Sequence, residues 1–219
     1  MRPDMELDFP ERDIARLEML SDGVFAIAIT LLGLELRAPR PEDLHDSTLL
    51  HFLGSQWHTY LAVVTSFFTI LVVWLNHHGC ILAVRRVNVR FIMANGLLLL
   101  AVICFPFVTG LLGEYFTTPH ARAASGVYAG VCLLSNIAFN LMWSAAAKDR
   151  ALIKDEVPAS LLRAIRINAL IGFGAYFLAA VSAVISAYLA IGICTFLWIF
   201  WTLTFNHFRE KARVLAAAR

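Results

Sequence analysis

Apolar residues fill this chain in long blocks and do not alternate with polar ones. Six blocks reach the roughly 20 residues that a helix needs to cross a hydrocarbon layer. They run near Ile14–Leu36, Leu53–Leu75, Phe91–Leu112, Ala124–Ala145, Leu161–Ala183 and Ile185–Phe208. The breaks carry turn chemistry. Pro39 and Pro41 follow the first block, and Arg85, Arg86 and Arg90 separate the second from the third. Gly113 and Pro119 flank the next gap, and Lys148 to Pro158 is a charged connection. Between blocks five and six there is neither charge nor proline, which predicts a tight hairpin. No repeat, linker or soluble segment interrupts the plan. The expected fold class is an all-α membrane protein, a single domain of six transmembrane helices over residues 1–219.

Composition agrees. Of 219 residues 59% are hydrophobic and 16% charged, with mean hydropathy +0.71. Soluble domains average about 25% charge, and one core of this size cannot hide so much apolar surface. A net charge of +2 gives no footing for nucleic acid. The four cysteines (Cys80, Cys104, Cys132 and Cys194) lie inside apolar blocks and form no CxxC pair, so they read as small buried hydrophobes. Met1 to Asp13 is acidic, unlike a cleavable signal, so the first block is expected to be retained.

Lys and Arg collect on the cytoplasmic side of inner-membrane proteins. With the N-terminus inside, all but three of the 18 fall there; Arg37, Arg40 and Arg122 are the exceptions. The chain is therefore expected in the cell inner membrane, multi-pass, with both termini cytoplasmic. Trp57 and Tyr60 then sit toward the outer interface.

Polar residues inside spanning segments are costly and usually face protein or water. The first block is densest in them: Arg16, Glu18, Ser21, Asp22, Thr30 and Glu35. Arg16, Glu18 and Glu35 lie near its ends, where snorkelling suffices. Asp22 lies two turns in and needs a partner, best supplied by another helix. The second block ends at Trp74–Leu75–Asn76–His77–His78, at the depth of Asp22. Adjacent histidines do not share a helix face, so a metal pair is not expected. An imidazole on Asp22 or Ser21 fits by depth, and contact with lipid headgroups is the plainer alternative. Asn95, Asn136, Asn140, Asn168 and Asn206 suit hydrogen bonds between helices. No nucleophile–base pair, HExxH, phosphate-cradling loop or redox motif is present, so neither an enzyme nor a cofactor is indicated.

The stretch from Arg16 through Ser21–Asp22–Gly23–Val24–Phe25–Ala26–Ile27–Ala28–Ile29–Thr30 to Leu32 resembles the signature of the transmembrane protein 175 family. The family motif reads R-x-x-x-F-S-D. Here Arg16, Ser21 and Asp22 match, and Leu20 stands in place of the phenylalanine. Trp74, His77, His78 and Phe105–Pro106–Phe107 are also similar to bacterial members. The resemblance implies a homotetrameric potassium-selective channel without the TVGYG filter, which this sequence also lacks. It implies a pore lined by helix 1 of each subunit, with the constriction at Ile27, a polar layer at Thr30 and a further apolar layer at Leu34. It implies a polar network of Arg16, Ser21 and Asp22 behind that helix, with His77 a candidate partner. The implied partners are potassium ions, further copies of the chain and the lipid bilayer.

Ile27, Thr30 and Leu34 share a helical face by their spacing, but helix 1 is apolar nearly all round, and periodicity alone does not choose that face. Without the resemblance, Ile27 and Leu34 read as contacts to lipid or neighbouring helices. Glu35 would concentrate cations at the outer mouth if it faced the pore. Two other readings stand beside the channel: a secondary transporter using Asp22 as a proton- or cation-coupling site, and a membrane scaffold. Transporters favour helices broken at mid-membrane by Gly or Pro. Helix 1 has Gly23 and Gly33 but no proline, and no later helix repeats the pattern.

Overall fold

Each apolar block forms a helix, as lipid demands, since backbone groups there must pair within their own segment. The structure is a computed structural model that describes residues 8–9, 11–41, 48–148 and 150–217, with the helix backbone alone for 11–13 and 204–217. The side chains of Arg2, Arg12, Asn206, Arg209, Lys211, Arg213 and Arg219 lie outside the described residues.

The order begins with β1 (Asp8–Phe9), α1 (Glu11–Leu31) and a 3-10 turn at Leu32–Glu35. Next come α2 (Leu49–Ser55), α3 (Trp57–Ala83), β2 (Val87–Asn88), α4 (Val89–Ile103) and α5 (Phe105–Tyr115). The chain finishes with α6 (Ala121–Lys148), α7 (Ala159–Ser182) and α8 (Ala187–Ala217). Among the described residues, five stretches are long and apolar enough to cross a membrane: Ile14–Glu35, Trp57–Ala83, Val89–Tyr115, Ala121–Lys148 and Ala159–Ser182. The sixth helix, α8, contributes the shorter apolar segment Ala187–Leu203. The hairpin between α7 and α8 is tight, with only Ala183 to Ser186 between them.

The second helix departs most from its expected bounds. It starts at Trp57, not Leu53, and runs on to Ala83, not Leu75. Leu53 belongs to the separate short helix α2, capped by Thr48, whose hydroxyl accepts from the His51 amide. At the other end, Asn76, His77 and His78 look like a stop by polarity. Asn76 bonds back to the Val72 carbonyl of its own helix, and α4 and α1 meet His77 and His78, so the helix continues. The third block is interrupted at Cys104. Pro106 supplies no amide proton and sits in the first turn of α5, so α4 stops and α5 restarts. Asn88 caps α4, accepting from the Phe91 amide.

α6 packs on α4, α5, α7 and α8, while α1 lies on α3, α4 and α5. Hydroxyl groups join helices in the interior. Ser66 donates to the Tyr128 hydroxyl at 3.1 Å and lies 2.6 Å from that of Thr109, joining α3, α5 and α6. The Thr65 and Thr195 hydroxyls meet at 3.3 Å between α3 and α8. Asn140 on α6 donates to the Asn136 side chain at 2.9 Å and to the Ala169 carbonyl of α7 at 3.2 Å. On the side where α3 ends, β1 pairs antiparallel with β2. There, Arg85 also bonds Asp155 at 2.9 Å.

The α6–α7 contact gives a direct test. Asn140→Leu keeps the volume and removes the donors, and should cost about 0.6–2 kcal/mol. Unfolding of the purified protein in mixed micelles measures it. No loss would mean that apolar packing alone holds α7.

Candidate functional site

α1 has two different faces. Ile14, Leu17, Ser21, Phe25, Ala28 and Leu32 are buried against the rest of the subunit. The opposite face is bare: Ile27 is 60% exposed and Leu34 72%, and Arg16, Leu20, Gly23 and Thr30 are exposed with them. Successive members of this stripe are four and three residues apart in alternation. The mean spacing is about 3.6 residues, the repeat of a straight α-helix, so these positions stay on one side of it. The Leu20 that replaces the motif phenylalanine belongs to this open stripe, not to the core.

Within the stripe, the Thr30 hydroxyl donates to the Ile27 carbonyl at 2.8 Å. Its one proton is thereby committed to the backbone, and its remaining lone pairs point away from that bond. Such an oxygen is an acceptor toward whatever passes in front of it. Glu35 does not share the stripe. It is half-buried, and its carboxylate lies so close over Gly110 of α5 that no Cβ would fit there. The expectation that Glu35 could face the pore fails, because the 3-10 turn carries it back onto its own subunit. There it borders a cleft of about 540 Å³ that also holds Arg37, Arg40, His58 and Glu114.

Behind the stripe, the middle of α1 is fastened by a buried chain of hydrogen bonds. The Ser21 hydroxyl donates to the Leu17 carbonyl at 2.7 Å and accepts from the Asn95 amide at 3.1 Å. The Asn95 carbonyl oxygen lies 2.8 Å from Nε2 of His77. Since the Asn95 nitrogen donates to Ser21, its oxygen must accept, which places the His77 proton on Nε2. Ser21, Asn95 and His77 are all buried. Nδ1 of His77 has no hydrogen-bond partner among the described residues, and the Phe25 ring stands 5.5 Å from the imidazole.

Asp22 finds a partner on another helix, as depth required, but it is not His77. The Trp74 indole donates to its carboxylate at 2.8 Å. One turn away His78 meets Glu18 at 3.2 Å and stacks on Trp74 at 5.7 Å. The His77–Asp22 pairing is therefore corrected: His77 turns inward to Asn95, and Trp74 takes Asp22. The headgroup alternative for His77 is also removed by its burial. Arg16 stands outside this network. It is exposed and makes no bond among the described residues. The sequence did hold a signal for the second contact, since Glu18/Asp22 and Trp74/His78 are matching i, i+4 pairs on two adjacent helices.

Asn95→Leu tests the clamp. It leaves the buried His77 without its Nε2 partner and Ser21 without its donor, and should cost about 1–3 kcal/mol of stability. Asp22→Asn still offers an oxygen to Trp74 and should cost less. Denaturant unfolding of both variants in detergent checks this, and equal losses would remove Asn95 from its central place.

Several known proteins share this plan. The family described as the endosomal/lysosomal potassium channel TMEM175 matches residues 16–106, from the motif arginine to the helix-breaking proline. A potassium channel of Chamaesiphon minutus is 41% identical over 201 residues, which is 91% of this chain and 99% of that one. A potassium channel of Streptomyces collinus is 38% identical over 173 residues, covering 78% and 83%. The crystal structure of a lysosomal potassium-selective channel TMEM175 homologue from Chamaesiphon minutus superposes with a TM-score of 0.81. It is 42% identical, over 88% of this chain and 98% of that one. With a relative of that identity matched along nearly its whole length, this multi-pass membrane protein belongs to the TMEM175 family.

Proposed function

We propose that the chain is a potassium-selective channel formed by four copies arranged around α1, in the cell inner membrane, with both termini cytoplasmic. The observation that carries this reading is the bare stripe of α1. A helix that buries one face on its own subunit and exposes Ile27, Thr30 and Leu34 on the other offers a surface that further copies can cover. A stripe that keeps to one side of the helix suits a bundle about an axis. The relatives named as potassium channels support the cargo.

The residues then take distinct roles. Four Ile27 side chains form an apolar ring that opposes water and so acts as a barrier to hydrated ions. Thr30 lies about 4.5 Å further along the axis. Its hydroxyl, with the proton turned to the Ile27 carbonyl, presents lone pairs that replace part of a cation's water shell and offer nothing to an anion. Leu34 makes a second apolar layer beyond it. The potassium is cargo and needs no resident metal. Ser21 fixes the angle at which α1 presents the stripe, and Asp22 supports it from the α3 side. Asp22 is engaged by Trp74, which suits a structural carboxylate better than a coupling site that must load and unload.

Reconstitution into bilayers decides between the classes. Discrete current steps are expected of the channel, and saturable coupled exchange would refute it. The face of α1 is tested by Ile27→Ala beside Ile29→Ala. Ile29 lies about 200° away and is half-buried, packed against the subunit core. Ile27→Ala should raise conductance several-fold and weaken discrimination among monovalent cations, while Ile29→Ala should change stability and leave permeation close to normal. Equal effects, or a larger one at Ile29, would put the wrong face on the axis.

A further inference from the structure

The outward side of α7 carries two cations on an otherwise apolar surface. Arg163 and Arg166 are exposed, and the same face continues through the exposed Ile167, Leu170 and Leu178. α7 packs on α6 and α8, whereas the stripe that calls for other copies belongs to α1 on α3, α4 and α5. The face with the two arginines is thus turned to lipid. With 24 residues, α7 is about 36 Å long, against a hydrocarbon thickness of about 30 Å. Arg163 stands about 6 Å and Arg166 about 10 Å along the axis from its first residue. Guanidinium groups at that level must reach back to the phosphate layer to stay hydrated or paired.

Neither arginine makes an ion pair or side-chain hydrogen bond among the described residues, and the adjacent Asp155 is engaged by Arg85. Residues at i and i+3 are neighbours on a helix surface, so two planar, permanently charged forks converge on one patch. That donor set matches phosphate oxygens, which guanidinium binds in a bidentate manner. Just beyond it lies an apolar strip along which acyl chains can run.

We infer that Arg163 and Arg166 form a headgroup site for an anionic phospholipid of the leaflet in which α7 begins, with its chains lying along Ile167, Leu170 and Leu178. The site does not depend on the chain conducting ions. The purified full chain is placed in phosphatidylcholine nanodiscs with and without phosphatidylglycerol. Thermal unfolding is followed, and bound lipid is counted by native mass spectrometry. Phosphatidylglycerol should raise the Tm and remain bound. Arg163→Gln with Arg166→Gln should lose at least half of that rise together with the tightly held lipid. The paired Arg163→Lys and Arg166→Lys variant should keep part of both, as should each single Gln variant if the double one does not fold. Arg122→Gln, a cation on the opposite membrane side, should respond like the unaltered chain. A full lipid response in the double Gln variant would overturn the proposal. So would an equal Tm rise from inorganic phosphate in phosphatidylcholine, or a loss of subunit association without loss of lipid, which would make this face a contact between copies.

Discussion

In a hydrocarbon medium, a polar side chain without a partner has no water to turn to, and three such side chains from three helices solve the problem together here. Ser21, Asn95 and His77 bond in a buried line. Everything that the bare face of α1 can do depends on that line, because it fixes how α1 is rotated. Turning α1 by one residue would move Ser21 away from Asn95 and carry Ile27 off its stripe. Apolar packing alone is a weak guide to rotation, since the helix is apolar on nearly every side and lipid is as apolar as a neighbouring helix. The hydrogen bonds supply direction where the hydrophobic effect supplies none.

A second consequence concerns the division of labour within the subunit. The hydroxyl contacts of Ser66 with Thr109 and Tyr128, and of Thr65 with Thr195, bind α3, α5, α6 and α8 to one another. The asparagine contact adds α7 to α6. These helices form a scaffold against which α1 is laid. The scaffold side of α1 carries Ser21, and the open side carries Arg16, Ile27, Thr30 and Leu34. In the proposed channel, support and permeation lie on opposite faces of one helix.

The six-helix plan was legible because a membrane imposes a length on apolar runs, and no soluble fold imposes the same one. The ends were less legible. Asn76, His77 and His78 read as the close of a span, yet α3 runs on to Ala83 because α1 and α4 bring partners to the two histidines. Polarity marks a helix end only when nothing folds over it. Asp22 was legible as a group in need of a partner. Which partner was decided by rotation about α3, and that sends His77 inward and Trp74 toward Asp22. The stripe on α1 was beyond periodicity because both faces are apolar, the buried one and the open one. Only the resemblance of its motif singled out Ile27, Thr30 and Leu34.

The position of Glu35 bears on how α1 can move. Its carboxylate lies over Gly110 at the outer end, and Ser21 is held by Asn95 at the inner end. A rod pinned at two points bends least beside the pins and most between them. The pins are about 21 Å apart along the axis, and Ile27 falls near the middle of that interval. In the channel proposed above, the Ile27 ring would sit at mid-span, where a gentle bow of the helix gives the largest sideways displacement for the least elastic work. On that proposal, whatever shifts Glu35 or Ser21 moves the ring by lever and not by contact.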